Sequence, residues 1–353
     1  EGGIAFGGFF FDGRLHLEGS AESRHQEPLT SKFDREWGKN VYTLQGKGTA
    51  AEPYYQVSGA RVSNLNAAGR VNNATLGDSQ FSTGGFVVPF VHGTRLGLAP
   101  AFQASNNCAT CEIGGDGGVF NGQLRASLDM NQLFGRADFD FTPDVHGYLT
   151  ASYTEKRSVA VGNYTSNAAY AISRDNAFLL PQYRTALGAA TTFNLGKIFT
   201  EIPRGETESN AKALVFIAGL DGKLGEKFAW ELGATKSTST FNVRANQAIN
   251  QGRFFAALDS VISNGQPVCR ASLTNSAYAG CVPLNPFGVN AGSAQSIAYF
   301  MAKQDWETSI GMEAASASVT GSPFSTWAGE VNVALTAEAR KVTYEIESHT
   351  PAT

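Results

Sequence analysis

The sequence has no long apolar run. Even its uncharged stretch, Ala271–Ala302, is broken by Gly280, Pro283, Pro286, Gly288 and Gly292, whereas a membrane-crossing helix needs about 20 consecutive apolar residues. Helical membrane spans are therefore excluded. Charge is scarce too: 16% of the 353 residues are Asp, Glu, Lys or Arg, against about 25% in ordinary soluble domains. With a net charge of −4 there is no basic field for a phosphate backbone, so nucleic acid is not an expected partner. No Gly-x-Ser-x-Gly elbow, His-Glu-x-x-His or Gly-x₄-Gly-Lys-Ser/Thr loop is present, and the expectation is a protein that is not an enzyme and needs no cofactor. The opening residues "EGGIAFGG" lack the basic start and apolar run of a signal peptide. "GGDGG" at Gly114–Gly118 lacks the repeats of a calcium-binding β-roll and reads as a loop.

Cysteine is equally sparse. Four are present, as a close pair Cys108 and Cys111 in "NNCATCEIGGDGG" and a wider pair Cys269 and Cys281 in "CRASLTNSAYAGC". Zinc would need further ligands, and His16, His25, His92, His146 and His349 are scattered without ligand spacing. A thioredoxin-like pair would need a helix after the first thiol, where Gly-rich sequence follows instead. Two local pairs in Gly/Asn/Ser-rich loops fit disulfides made in an oxidising compartment. Of the three connectivities possible for four cysteines, the expected one is Cys108–Cys111 and Cys269–Cys281. No metal site is expected.

What is abundant is glycine, at 39 residues, and phenylalanine, at 24, a composition of strands and turns. Period-two alternation recurs through the chain. Leu15 and Leu17 oppose His16 and Glu18; Phe139 and Phe141 oppose Asp138 and Asp140. After the turn "TPDVHG", Leu149 and Ala151 oppose Thr150 and Ser152. Trp230 and Leu232 oppose Glu231, and Val333, Leu335 and Ala337 oppose Thr336 and Glu338. Each strand therefore has one apolar and one polar face, as both a soluble sandwich and a membrane barrel require.

Three features favour the barrel. Aromatic residues such as Phe228 and Trp230 stand at strand ends, as in an interfacial girdle. Short turns ("TPDVHG", "DGKLGEK") alternate with long polar connections at Tyr54–Gly85, Gly162–Thr207 and Asn242–Ser309. The polar faces mix charges of both signs, as a wet or plugged lumen would. The apolar set Leu15, Leu17, Phe139, Phe141, Leu149, Trp230, Leu232, Val333 and Leu335 should then meet lipid, with Glu18, Asp138, Glu231 and Glu338 turned inward. Helical spacing in "NQGRFFAALDSVIS" and "SAQSIAYFMAK" predicts short helices that pack the long loops. Tyr54, Tyr55, Tyr164, Tyr170 and Trp306 are loop aromatics able to stack on a ligand or pack the loops.

The segments "VCRASLTNSAYAGCVPLNPFG", "SASVTGSPFSTWAGEVNVALTAEAR", "LVFIAGLDGKLGEKFAWELGAT" and, more distantly, "GFFFDGRLHLEGSAES" resemble the barrel of TonB-dependent outer-membrane receptors. The resemblance is strongest from Val268 to Arg340. It implies an all-β fold: an antiparallel transmembrane β-barrel with long extracellular loops, of which this chain would supply about 10–12 of roughly 22 strands. The matching segments are barrel, with no plug domain, TonB box or aromatic-ended last strand among them, so residues 1–353 are expected to be an internal portion of such a barrel. The resemblance further implies a Gram-negative outer-membrane location, contact with the lipid bilayer and lipopolysaccharide, and uptake of a scarce nutrient such as a siderophore or oligosaccharide. Energy would come from the TonB-ExbB-ExbD complex through the plug. A passive porin or surface-display barrel, or a soluble secreted β-sandwich lectin or adhesin, are the alternatives.

Overall fold

A computed structural model describes residues 1–45, 48–51, 53–95 and 110–350. Eight long strands form one antiparallel sheet in strict sequence order: β1 (Gly2–Phe10), β2 (Leu15–Gln26), β3 (Leu128–Thr142), β4 (Val145–Val161), β5 (Glu206–Leu224), β6 (Phe228–Ile249), β7 (Met301–Thr326) and β8 (Gly329–Ser348). The class is all-β and antiparallel, as the alternation requires. The sheet has eight strands where ten to twelve were expected, and it is not closed, since β1 and β8 are its two edges. The difference arises because the shorter extended segments pair with one another outside this sheet.

At one end the strands join through tight turns at residues 11–14, 143–144, 225–227 and 327–328. Positive φ at Phe11, Asp12 and Gly13 makes the first reversal and at Gly225 the third, a conformation that glycine adopts without strain. At the other end the connections are long: residues 27–127, 162–205 and 250–300. The strands reach further into the last one than alternation alone indicated, because β6 runs to Ile249 and β7 begins at Met301.

The described residues of the long connections are well structured. They build a five-stranded sheet in the order Ser166–Ser173, Thr192–Ile198, Arg70–Asn73, Gly77–Phe81, Val87–Pro89, and a three-stranded sheet in the order Ala60–Val62, Cys111–Gly115, His92–Arg95. The expected helices form at Gln251–Leu258, capped by the Asn250 side chain, and Ala294–Phe300, capped by Ser293. Val71, Phe81, Leu195, Phe199, Phe254, Leu284, Phe287 and Phe300, from all three connections, make one buried cluster. The molecule's hydrophobic core therefore lies in this cap.

The large sheet, by contrast, is uncovered. Its register places Leu17, Ala137, Leu149, Ala218 and Ala234 in one row, and Leu15, Phe139, Leu220 and Leu232 in the next. All of the apolar set anticipated above falls on this face, with Glu18, Asp138, Glu231 and Glu338 on the other. Among the described residues no second sheet packs over the apolar face: Leu149 stays 52% and Leu335 76% exposed. Four cross-strand partners pair an aromatic ring with a glycine: Phe6 with Gly19, Tyr148 with Gly219, Trp230 with Gly222 and Phe228 with Gly321. In each, a Cβ on the glycine would lie within 3 Å of the ring, so the rings fill the space the glycines leave and cover their backbone.

Candidate functional site

Two places gather polar chemistry. The first is the polar face of the sheet near the tight turns. Register brings His16, Asp138 and Tyr148 into one row and Asp140, His146, Asp221 and Glu231 into the next. Asp138 is the centre. The Arg136 guanidinium donates to both its oxygens at 2.6–3.1 Å, His146 Nε2 lies 3.6 Å away and His16 Nδ1 3.9 Å away. His146 Nδ1 meets Asp221 at 2.9 Å, and Arg136 stacks 4.6 Å above the Tyr148 ring. Beside them an open depression of ≈ 590 Å³ is lined by Asp140, Asp144, His146, Asp221, Lys223 and Glu231 among others. Its chemistry is a wall of fixed charge with carboxylates in excess.

The second is the seam between the two cap sheets. Asn66 donates to Gln80, and Gln80 donates to Asp116, at 2.6 and 2.5 Å. With Arg61, Thr200 and Val289 these residues line a cleft of ≈ 440 Å³, a size suited to a small ligand. Further along the same strands, His92 meets Glu112 at 2.6 Å and Asp78 at 2.5 Å. Both carboxylates raise the His92 pKa above its ordinary value through these hydrogen bonds. Arg70 pairs with Asp78 and lies 4.2 Å over the Phe90 ring. Deeper in the cap, Lys197 is fully buried and donates to the Ala67 and Gly288 carbonyls. Burial pushes its pKa down to about 8, with the Glu201 charge offsetting part of the shift.

Cys269 and Cys281 are joined by a disulfide with Cα atoms 6.0 Å apart, closing the loop beside the helix Gln251–Leu258. Arg270, next in the chain, bridges Asp175 and Asp259 at 2.5 and 3.0 Å, which ties this loop to the second long connection. Cys111 is also disulfide-bonded; Cys108 lies outside the described residues. The loop aromatics are not brought together. Tyr170 is core, packed on Phe199 and Phe254, Tyr164 sits under Arg204, Tyr54 is 64% exposed, and Trp306 belongs to β7. Sequence reading missed the His92 and Asp138 clusters. Alternation gave the face of Asp138, but the register that sets His16 and His146 beside it comes only from pairing. Among the described residues no group of three or more His, Cys, Asp or Glu side chains is arranged to hold a metal ion.

No family model matches this chain, and neither does any curated protein. Among solved structures, FpvA of P. aeruginosa bound to a heterologous pyoverdine with iron matches over 99% of this chain and 36% of that chain, at 10% identity and a TM-score of 0.32. This chain thus spans about a third of that protein's length. A likeness this low carries no argument about fold or function.

Proposed function

We propose that this chain is part of an outer-membrane β-barrel receptor that captures a scarce small molecule at its cap and passes it inward. The observation that carries this reading is the uncovered apolar face. On β5 the apolar band runs from Leu214 to Leu224, about 34 Å of strand at ~3.4 Å per residue, or about 24–28 Å of height at the 35–45° tilt of barrel strands. That height matches the roughly 25 Å apolar band of outer-membrane barrels.

The band also slides. Its lower limit is Leu15 on β2, Val145 on β4, Phe228 on β6 and Val331 on β8, which in the register step two residues further at each hairpin. Its upper limit moves the same way, from Leu133 and Leu214 on β3 and β5 to Ala315 and Ala339 on β7 and β8. A drift of about one residue per strand, at ~3.4 Å rise and ~4.8 Å spacing, is a tilt near 35°, the geometry of a barrel wall. Above that limit Lys236, Glu313 and Lys341 occupy the same face, and the apolar residues Ile310, Met312, Val342 and Tyr344 move to the opposite one. A boundary where lipid gives way to water outside the wall produces such an exchange.

The tight turns would then face the periplasm and the cap the outside. Mixed charges about Asp138 suit a lumen filled by water and a plug, through which TonB-ExbB-ExbD would supply energy. The reading is of binding and transport, not catalysis. Arginine substitutions test it. Placed in the full-length gene product, Leu149→Arg and Leu220→Arg, on the apolar face, should each cost about 2–4 kcal/mol of folding into vesicles, and Thr150→Arg on the polar face less than about 1. Equal folding of all three would end the membrane reading. For transport, uptake by the full-length gene product should cease in a host lacking TonB; uptake that persists favours a passive porin.

A further inference from the structure

Two opposite charges, Arg61 and Asp116, line the cleft at the cap seam without pairing with each other. The Arg61 guanidinium donates through Nη1 to the Gly117 carbonyl at 3.2 Å. Asp116 Oδ2 accepts from Gln80 at 2.5 Å and from the Val91 backbone N–H at 3.0 Å. Gly117 and Gln80 line the cleft as well, so both charged groups stand at its wall. Among the described residues neither is in an ion pair, although the charged groups around them are matched: Arg70 pairs with Asp78, and His92 with Asp78 and Glu112. Glu112, which faces Arg61 in the strand register, gives one oxygen to His92 and the other to the Gly93 N–H.

We propose that this cleft binds a small zwitterion, a free α-amino acid or a dipeptide, with the ligand carboxylate on Arg61 and the ligand ammonium on Asp116. The proposal rests on the reading of the cap as the capturing part of a receptor and names the class of molecule captured there. Its basis is charge balance on desolvation. While the cleft is open, water solvates both groups; a ligand that fills ≈ 440 Å³ displaces that water. A neutral ligand then leaves two charges without counter-charge, an anion leaves Asp116 so, and a cation leaves Arg61 so, each at the cost of an uncompensated charge. A molecule that brings one charge of each sign compensates both.

The donors and acceptors agree. Arg61 uses one of the five N–H donors of a guanidinium in the bond to Gly117, and the rest are available to a carboxylate, which a guanidinium can hold by two parallel bonds. Asp116 keeps Oδ1 for an ammonium, since both its bonds within the protein fall on Oδ2. The remaining wall, from Ala67, Ala68, Val119, Ile198 and Val289, is small and apolar, which suits the short carbon skeleton between the two charges.

Equilibrium binding to the full-length gene product in detergent tests this, with glycine, alanine and alanyl-alanine as probes and glucose as the uncharged, hydroxyl-rich control. At least one of the three zwitterions should bind saturably below about 1 mM. N-acetylation or C-terminal amidation of that probe, each removing one charge, should weaken binding about tenfold or more. Arg61→Gln should abolish the preference for the free acid over its amide, and Asp116→Asn the preference for the free amine over its acetyl form. Three outcomes overturn the proposal: no saturable binding of any zwitterion to the wild type, blocked forms or glucose binding as tightly as the zwitterion, or both variants keeping the wild-type preferences. The first two need no variant to fold. TonB-dependent uptake without zwitterion binding would leave the receptor reading standing and remove this one; zwitterion binding without TonB-dependent uptake would do the reverse.

Discussion

Lys197 carries a positive charge into the cap core, where the Ala67 and Gly288 carbonyls receive it. Its folded pKa of about 8 lies below the ordinary lysine value of 10.5, so the folded state holds this proton less firmly than the unfolded chain does. The consequence for stability has a definite sign. Below about pH 8 the ammonium costs the fold about 3 kcal/mol, and the penalty is relieved as pH rises from about 8 to about 10.5. This is opposite to His92, whose contribution falls as pH rises. Lys197→Met removes the titration, so unfolding midpoints at about pH 7 and about pH 10 should diverge less for the variant than for the wild type. Equal pH dependence in the two proteins would show that the ammonium is better solvated than its burial implies.

At the level of strands, the four aromatic–glycine pairs explain how a glycine-rich sheet keeps its register. Glycine weakens a strand through entropy and missing contacts, and a ring laid over it from the neighbouring strand restores the contact. Tyr148 over Gly219 has a further role, since the ring also supports Arg136, which in turn holds Asp138. Gly219→Val would force the Tyr148 ring aside, because even a Cβ there would lie 2.4 Å from it. The expected cost is about 1–3 kcal/mol, read as a lower urea midpoint in detergent; Gly225→Ala, at a position where a Cβ meets nothing within 4 Å, controls for strain at positive φ instead of crowding. These pairs were not readable from the sequence, because an aromatic and a glycine in different strands become partners only through register. The face of Leu17, Phe139 or Leu232 was readable, since period two needs only the strand itself. The cap was legible in part: the helix at Gln251–Leu258 announced itself by spacing, but segments as short as Ala60–Val62 and Val87–Pro89 are too brief to show a period. The core residues Val71, Phe81 and Phe287 come from distant connections and meet only in the fold. The exchange of faces on β8, from Val333 and Leu335 to Val342, Tyr344 and Ile346, likewise breaks a single-strand reading halfway along.

For the molecule as a whole, the decisive feature is that the wall has two edges. Strands β1 and β8 each present a row of backbone N–H and C=O groups that pair with nothing in the large sheet, and in hydrocarbon each such group costs several kcal/mol. Closing β1 directly on β8 would remove the edges, but an eight-stranded barrel has an interior only wide enough for its own side chains. The polar face here carries Arg136, Tyr148, His16, His146 and Glu231 around an open depression, a surface shaped for something larger to stand against it. The expectation is therefore that these edges pair with further strands, on this polypeptide or another copy, before the wall can sit in a bilayer. Expressed alone and directed to outer membranes, the 353 residues should fail to give the compact, heat-modifiable band that closed barrels show on a gel, whereas a longer polypeptide that supplies the missing wall should give one. A heat-modifiable band from these residues alone would mean that β1 and β8 do meet, and a small barrel with a side-chain-filled interior would replace the receptor reading.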